Sequence, residues 1–330
     1  MKNKIYPKTV ALLITKQCTA QCKMCCFECS PQTDEKMPME WIEKLIEEAA
    51  VIEGIETIGF SGGEPFLEYQ NLLKMFKLAK DKNKKVICTS NGFWGDTYDK
   101  ALKIVSEIRA AGLDRLSLSV DQFHGEYIGI DRIKNILKAS SEISLAVDIG
   151  SVITKSKSKL GGIFDEIAEE MVNVPHYTAA CLPVGTARKW IDDSDLIYDD
   201  FIFTRSNRCF ETNYFAVFPN GNVFPCCSQA GATEPLKIGN IQTQSLSELY
   251  KKYNSNMNIR ILKSKGLNWY LDLATKLGYK DFLNKKYVNK CDLCRSIFSD
   301  EKFMENIAPY LEEEKKKIYE KYLEISKKND

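Results

Sequence analysis

No apolar run in this sequence approaches the roughly 20 residues that a membrane-spanning helix needs. The first residues, Met1-Lys2-Asn3-Lys4-Ile5-Tyr6-Pro7, contain no apolar core of the kind a secretory signal requires. Charge of one sign is not in excess either: 46 Lys and Arg against 45 Asp and Glu leave a net +1. That balance gives no reason to expect nucleic acid or a membrane surface as partner. Lysine runs such as Lys82-Asn83-Lys84-Lys85 and Lys315-Lys316-Lys317 read as solvated faces. Histidine is scarce. His124 and His176 are the only two, and an isolated histidine is more often a satisfied polar residue than a catalytic base. These absences point to a cytoplasmic protein. What is present is an ordinary globular balance, 44% hydrophobic and 28% charged over 330 residues, enough for one large domain and a smaller one.

Cysteine is the exception to this ordinariness. There are 12, and they cluster: five between residues 18 and 29, two at 226–227, two at 291–294. In a cytoplasmic chain, clustered cysteines argue for metal or redox chemistry rather than a disulfide framework. The densest stretch is Cys18-Thr19-Ala20-Gln21-Cys22-Lys23-Met24-Cys25, directly after the apolar run Val10-Ala11-Leu12-Leu13-Ile14. Run followed by loop reads as a strand ending in a metal-binding loop. The spacing is C-x3-C-x2-C. Three thiolates can hold three irons of a four-iron cubane and leave the fourth open to a substrate or cosubstrate. Cys22, Cys26 and Cys29 satisfy the same spacing, so two frames overlap; Cys18/Cys22/Cys25 is preferred because Thr15-Lys16-Gln17-Cys18 follows the strand directly. Cys26 and Cys29 are then spare thiols.

Downstream, strand and helix signals alternate. Helices are predicted near Trp41–Val51, Leu72–Lys80, Tyr98–Ala110, Ile130–Ser140 and Gly162–Met171; strands near Thr57–Phe60, Val86–Thr89, Arg115–Val120, Leu145–Val152 and Tyr177–Cys181. With the first strand this makes six strand–helix units, which imply a parallel sheet with crossover helices, and six rather than eight suggest a partial barrel. Chemistry-bearing residues fall at the carboxyl ends of strands, where such barrels place their sites: the cysteine loop, Gly62-Gly63-Glu64, Ser90-Asn91-Gly92, Ser119 and Asp121, Ser151 closing strand five, and Pro183-Val184-Gly185. His124 follows strand four, and His176 is placed in a loop. Beyond about residue 200 the alternation stops. Asn220-Gly221 between two apolar runs signals a hairpin, followed by Cys226-Cys227 and, later, Cys291-x2-Cys294; a Lys/Glu-rich helix starts near Glu301.

The cysteine triad with Gly62-Gly63-Glu64 after the next strand resembles the radical SAM superfamily. The resemblance implies an α/β fold, a partial (β/α)6 TIM-like barrel over residues 1–200, with a 4Fe-4S cluster on Cys18, Cys22 and Cys25 whose open iron takes S-adenosylmethionine (SAM). It implies that Gly62 and Gly63 approach the methionyl group and that Glu64 accepts from its ammonium, with Ser119, Asp121, Asn91 and Ser151 as further contacts. Cys209, Gly221, Cys226 and the later C-x2-C resemble the SPASM/twitch extension. No cysteine follows Cys294, so one auxiliary 4Fe-4S cluster on Cys209, Cys226, Cys291 and Cys294 is implied over residues 201–300, ahead of a helix at 301–330; a mononuclear zinc site is the other reading of four such cysteines. Neighbouring side chains of an extended segment point to opposite faces. If Cys226 faces the cluster, Cys227 faces away. The alternatives are a buried extra thiol, or Cys227 as ligand with Cys226 spare. The whole pattern is most similar to radical SAM epimerases of ribosomally made peptides. That similarity implies abstraction of an α-hydrogen from an L-residue by a 5′-deoxyadenosyl radical and return of hydrogen by Cys227 from the opposite face, with a precursor peptide as substrate and a flavodoxin or ferredoxin as electron donor. Thioether-forming maturases, twitch-domain dehydrogenases and a non-catalytic metal-stapled scaffold are the rivals. The first strand begins within about ten residues, so no separate leader-recognition domain is expected there, and peptide contacts are expected from the barrel mouth, the twitch region or residues 250–290.

Overall fold

The computed structural model describes residues 7–204, 206–209 and 212–327, with side chains to residue 320. Its first part alternates as expected: β1 (Thr9–Thr15), α1 (Met39–Ala50), β2 (Thr57–Gly62), α2 (Tyr69–Asp81), β3 (Lys85–Ser90), α3 (Tyr98–Ala110), β4 (Arg115–Ser119), α4 (Ile130–Ile143), β5 (Ala146–Ile153), α5 (Gly161–Asp165) and β6 (His176–Ala180). All neighbouring pairs from β1 to β6 are parallel. Each crossover helix presents an apolar stripe to the sheet. In α1 the stripe is Ile42, Leu45, Ile46 and Ala49, the i, i+3, i+4, i+7 pattern. Burying each of the three larger side chains contributes about 1.5–3 kcal/mol.

Three expectations need correction. The helix predicted over Gly162–Met171 is only the five residues of α5, and turns follow it. No residue of α5 is buried; a lone buried Ile167 beyond it does not make a stripe that could hold a helix to the sheet. Ser151 does not close strand five, which runs on to Ile153. His176 is not in a loop but opens β6.

After β6 come α6 (Thr186–Trp190), β7 (Tyr214–Val217), β8 (Asn222–Phe224), β9 (Gly239–Asn240), α7 (Leu246–Ser255), α8 (Met257–Ser264), α9 (Asn268–Lys276), α10 (Asp281–Asn284), α11 (Lys290–Phe298) and α12 (Glu301–Lys327). The expected hairpin is β7–β8, antiparallel with Ala216 opposite Phe224. Its placement is new. β7 pairs parallel with β1, Thr9 opposite Tyr214 through Leu12 opposite Val217, so one nine-stranded sheet runs β6-β5-β4-β3-β2-β1-β7-β8-β9. α7 opens with a capping box of Ser245 and Glu248, a device worth about 0.5–2 kcal/mol. No helix among the described residues is long and apolar enough to cross a membrane.

Candidate active site

The loop after β1 is braced on all sides. Gln17 bridges to Ser30 and Thr15 to Lys36. The Cys18 N–H donates to Ser30 O (3.1 Å), that of Cys25 to Cys22 O (3.0 Å), and that of Thr186, the first residue of α6, to Cys25 O (2.9 Å). Gly185 sits at φ +59, and a Cβ there would lie 2.3 Å from Cys26 O. Only glycine allows both this backbone and this approach. The loop's inner side packs Ala20, Cys22 and Met24 with Phe123, Cys181 and Val288, and Phe27 meets Phe218 edge-on at 5.9 Å between centroids.

Cys18, Cys22 and Cys25 lie close enough that ionising any one opposes ionisation of another. Burial, assisted by neighbouring Glu64 and Cys25, pushes Cys18 up to about 11, and burial with Cys18 and Asp121 raises Cys22 further. Cys25 goes the other way, to about 6, chiefly because the Cys29 thiol donates to it, with the Cys29 N–H also donating at 3.4 Å. Cys29 is raised by the same bond. Cys26 is raised by burial and by the thiols of Cys25, Cys227 and Cys181. Buried thiols that resist ionisation lose their protons when a cationic centre binds them, so this donor set fits a cationic iron–sulfur centre.

The first turn beyond β2 is held to β1 by main chain: Gly63 N–H donates to Thr15 O (2.6 Å) and Glu64 N–H to Gln17 O (2.8 Å). A Cβ on Gly62 would lie 2.3 Å from Thr15 O and one on Gly63 2.1 Å from Gln17 O. The glycines are therefore required first by the neighbouring strand of the protein itself. Overpacking here costs about 1–3 kcal/mol, so Gly63→Ala is expected to lower the thermal midpoint and weaken SAM binding together, as differential scanning fluorimetry with and without SAM would read. Glu64 is fully buried. One oxygen accepts from Phe66 N and Ser90 Oγ, both at 3.0 Å, and the other from Asn91 N at 2.7 Å. Burial nevertheless holds it up at about 7. With three protein donors in place, a carboxylate has about one acceptor position left.

Asn91 joins this turn to the cysteine loop, its Nδ2 donating to Thr19 Oγ1 (3.0 Å) and reaching Cys18 Sγ (3.7 Å). Asp121 is buried and saturated: Oδ1 accepts from the N–H groups of Phe123 and His124, both at 2.9 Å, and Oδ2 from Val152 N at 3.0 Å while pairing with His124 Nδ1 at 3.0 Å. Burial alone would raise its pKa; His124 and Val152 outweigh it and hold the carboxyl below its ordinary value. His124 also lowers Cys25 and Glu64, so of the two histidines it is the one near the triad. Ser151 donates to Val120 O and meets His176 Nε2 at 3.0 Å. Ser119, the last residue of β4, pairs with Gly150.

A second thiol set assembles beyond residue 200. Cys226 feels Cys209 and Cys291; Cys294 feels Cys226, Cys209 and Cys291. Burial raises Cys226 and Cys294 and pushes Cys291 up to about 11. Among the described residues no three His, Cys, Asp or Glu side chains converge at single-ion distance. Cys226 is buried, and a Cβ on Gly231 would lie 2.4 Å from its Sγ. Cys227 is exposed and within electrostatic reach of Cys26 in the first loop. A residue sequence reasoning missed lies here. Lys263 donates to Asn213 Oδ1 (2.6 Å) and Tyr253 Oη (3.1 Å), while the preceding Leu262 O accepts from Cys209 N (2.9 Å). Burial lowers Lys263 to about 8, with Cys209 opposing. Its only local signal was one more lysine in an amphipathic helix. A cleft of about 1260 Å³ also escaped notice; it opens between Pro183–Gly185 on the barrel side and Tyr287, Asp292 and Arg295 on the other.

Residues 12–147 match the model of the radical SAM superfamily, and residues 209–295 match that of the SPASM iron-sulfur cluster-binding domain. The second match begins at Cys209 and ends one residue beyond Cys294. The chain thus carries a radical SAM domain followed by a SPASM-type twitch region, and its cofactors are SAM, a 4Fe-4S cluster and an auxiliary iron–sulfur cluster. It is 27% identical over 312 residues, 93% of this chain and 97% of the relative, to the putative peptide biosynthesis protein YydG of Bacillus subtilis (strain 168). It is 29% identical over 170 residues to the GTP 3',8-cyclase of Lactiplantibacillus plantarum, covering 48% of each chain. Its fold is similar to that of anSMEcpe solved with bound AdoMet and the Cp18Cys peptide, with a TM-score of 0.54 at 15% identity over 94% of this chain and 99% of that one.

Proposed function

We propose that this chain is a radical SAM peptide epimerase, converting an L-residue of a ribosomally made peptide to its D-form. The observation that carries the reading is the divergence of two adjacent thiols: Cys226 is buried among Cys209, Cys291 and Cys294 while Cys227 is exposed and within electrostatic reach of Cys26 in the first cysteine loop. A relative of nearly equal length described as a putative peptide biosynthesis protein supports a peptide substrate.

On this reading Cys18, Cys22 and Cys25 hold the first cluster, and Cys209, Cys226, Cys291 and Cys294 the second. With SAM bound, the first cluster would supply one-electron chemistry at this end of the barrel. The rest is positioning by protein groups. Asn91 ties Cys18 and Thr19 to the β3 end; Gly185 and Thr186 lock the loop from the β6 side; Asp121, filled by its own loop and Val152, keeps the β4 end rigid. The peptide occupies the cleft beside Gln229 and Gly185. Cys227 Sγ gives one hydrogen atom to the α-carbon from the face opposite the abstraction, and regains an electron and a proton afterwards, the electron from a flavodoxin or ferredoxin.

The test is anaerobic turnover of a peptide encoded beside the gene, in deuterated water. Epimerisation gives a product carrying one deuterium at an α-carbon and a D-residue on hydrolysis. A product lighter by two hydrogens means a thioether maturase or a dehydrogenase. The same preparation tests Lys263. Reduction adds negative charge to the auxiliary centre, which a nearby ammonium stabilises. Lys263→Met is expected to lower that centre's midpoint potential with iron content unchanged, as redox titration followed by electron paramagnetic resonance would read.

A further inference from the structure

Among the described residues β6 is one end of the sheet. Its main chain splits cleanly between two sides. Ile149 N–H donates to Pro175 O and Cys181 N–H to Ile153 O, both at 2.9 Å, so the odd positions of this strand bond to β5. By the alternation of a parallel ladder, His176, Thr178 and Ala180 turn their N–H and C=O groups away from β5 along the open edge. Strands of parallel sheets are normally covered on both faces by crossover helices. Here Tyr177 is 61% exposed, Thr178 and Ala179 are exposed as well, and no residue of the five-residue α5 is buried. Proteins blunt such edges with lysine, proline, bulges or very short strands. The other end of the sheet follows that rule, since β9 is two residues long. His176-Tyr177-Thr178-Ala179-Ala180 has none of these devices.

We propose that β6 is the docking edge for the precursor peptide, which adds an extended segment alongside it as a further strand. This rests on the peptide reading above. The choice of occupant comes from where the strand leads: Cys181 follows it directly and packs with Cys22, Pro183–Gly185 line the large cleft, and Thr186 holds Cys25. A peptide laid along β6 is therefore delivered to the cleft and the cysteine loop. Strand addition reads main chain first and side chains only at alternate positions, which suits a substrate whose modified residue must stay free to react.

Thr178→Pro tests this. Proline removes the outward N–H of residue 178 and leaves the β5 ladder intact, and edge strands accept it. The probe is a fluorescein-labelled synthetic copy of the peptide encoded beside the gene, titrated by anisotropy. Thr178→Pro is expected to weaken binding by roughly tenfold or more, Thr178→Ala to bind as wild type, and iron content and peptide-independent SAM cleavage to stay unchanged in both. Wild-type affinity in an iron-replete Thr178→Pro protein overturns the proposal. So does an unchanged affinity with conversion of a dimer to a monomer in light scattering, which makes the edge an interface between copies. If the proline variant loses iron, wild type is titrated with peptides N-methylated at successive positions: weakening at every second position supports the edge, and the absence of that alternation overturns it. Failure of wild type to bind the peptide at all brings down the peptide reading itself, a result distinct from any of these.

Discussion

Replacing Cys227 by alanine is expected to leave the iron content and SAM cleavage of the protein intact and to abolish formation of the D-residue. The separation of effects is the point. On the proposed assignment Cys226 and its three partners remain in place, so the auxiliary centre keeps its full donor set. The triad and its braces, Asn91 with Cys18 and Thr186 with Cys25, are untouched. What is lost is the hydrogen source on one face of the substrate. The α-carbon centre left without a donor regains hydrogen from the face it lost it from, or reacts otherwise, and the peptide after hydrolysis contains only L-residue or a side product. Chiral amino-acid analysis and iron assay on the same sample decide it. Iron loss in Cys227→Ala would instead make Cys227 a ligand and sink the assignment.

The second large effect separates the two overlapping cysteine frames. Cys18→Ala, Cys22→Ala and Cys25→Ala are each expected to lose about half of the iron and all SAM cleavage, since a cubane with two protein ligands is not held. Cys26→Ala and Cys29→Ala are expected to keep both. The physical case lies in which thiols feel which. Cys22 is raised by Cys18 and Cys25, whereas Cys26 looks toward Cys227 and Cys181 as well as Cys25. Cys29 is tied to Cys25 by its own N–H and thiol, which makes it a supporting donor to Cys25. Reversal of the pattern, with Cys26 and Cys29 essential and Cys18 dispensable, would move the cluster to the other frame.

Much of this was legible in the chain because it is written locally. Helical stripes such as Ile133, Ile136 and Leu137 in α4 and the apolar run of β1 carry their own period, and the predicted bounds of α3, Tyr98–Ala110, are those observed. The cysteine loop announced itself by spacing. What stayed hidden depends on partners far along the chain. Nothing in Tyr214–Val217 says that it pairs with β1, about 200 residues away, because a parallel ladder leaves no turn signature. Nothing around Gly185 says that Cys26 O presses against it. Glu64 and Asp121 read as ligand-facing carboxylates, yet backbone donors from their own turns and from Asn91 and Val152 fill most of their positions, and those donors have no residue type to betray them. α5 failed in the opposite way: a helix-permitting sequence without a face to bury.

The pairing of β7 with β1 turns a strand into a spacer. The triad is tethered just beyond Thr15, and Cys209 enters just before Tyr214, which the ladder sets level with Thr9. The two thiol sets are thus anchored to opposite ends of one strand pair, a span on the order of 20 Å at about 3.3 Å per residue. Such a spacer cannot be tuned continuously. One residue more or fewer in β1 changes its length by a single increment and also turns every later side chain to the other face of the sheet. Only changes by two residues preserve the faces, so the separation of the two cysteine-bearing ends can take only a few discrete values.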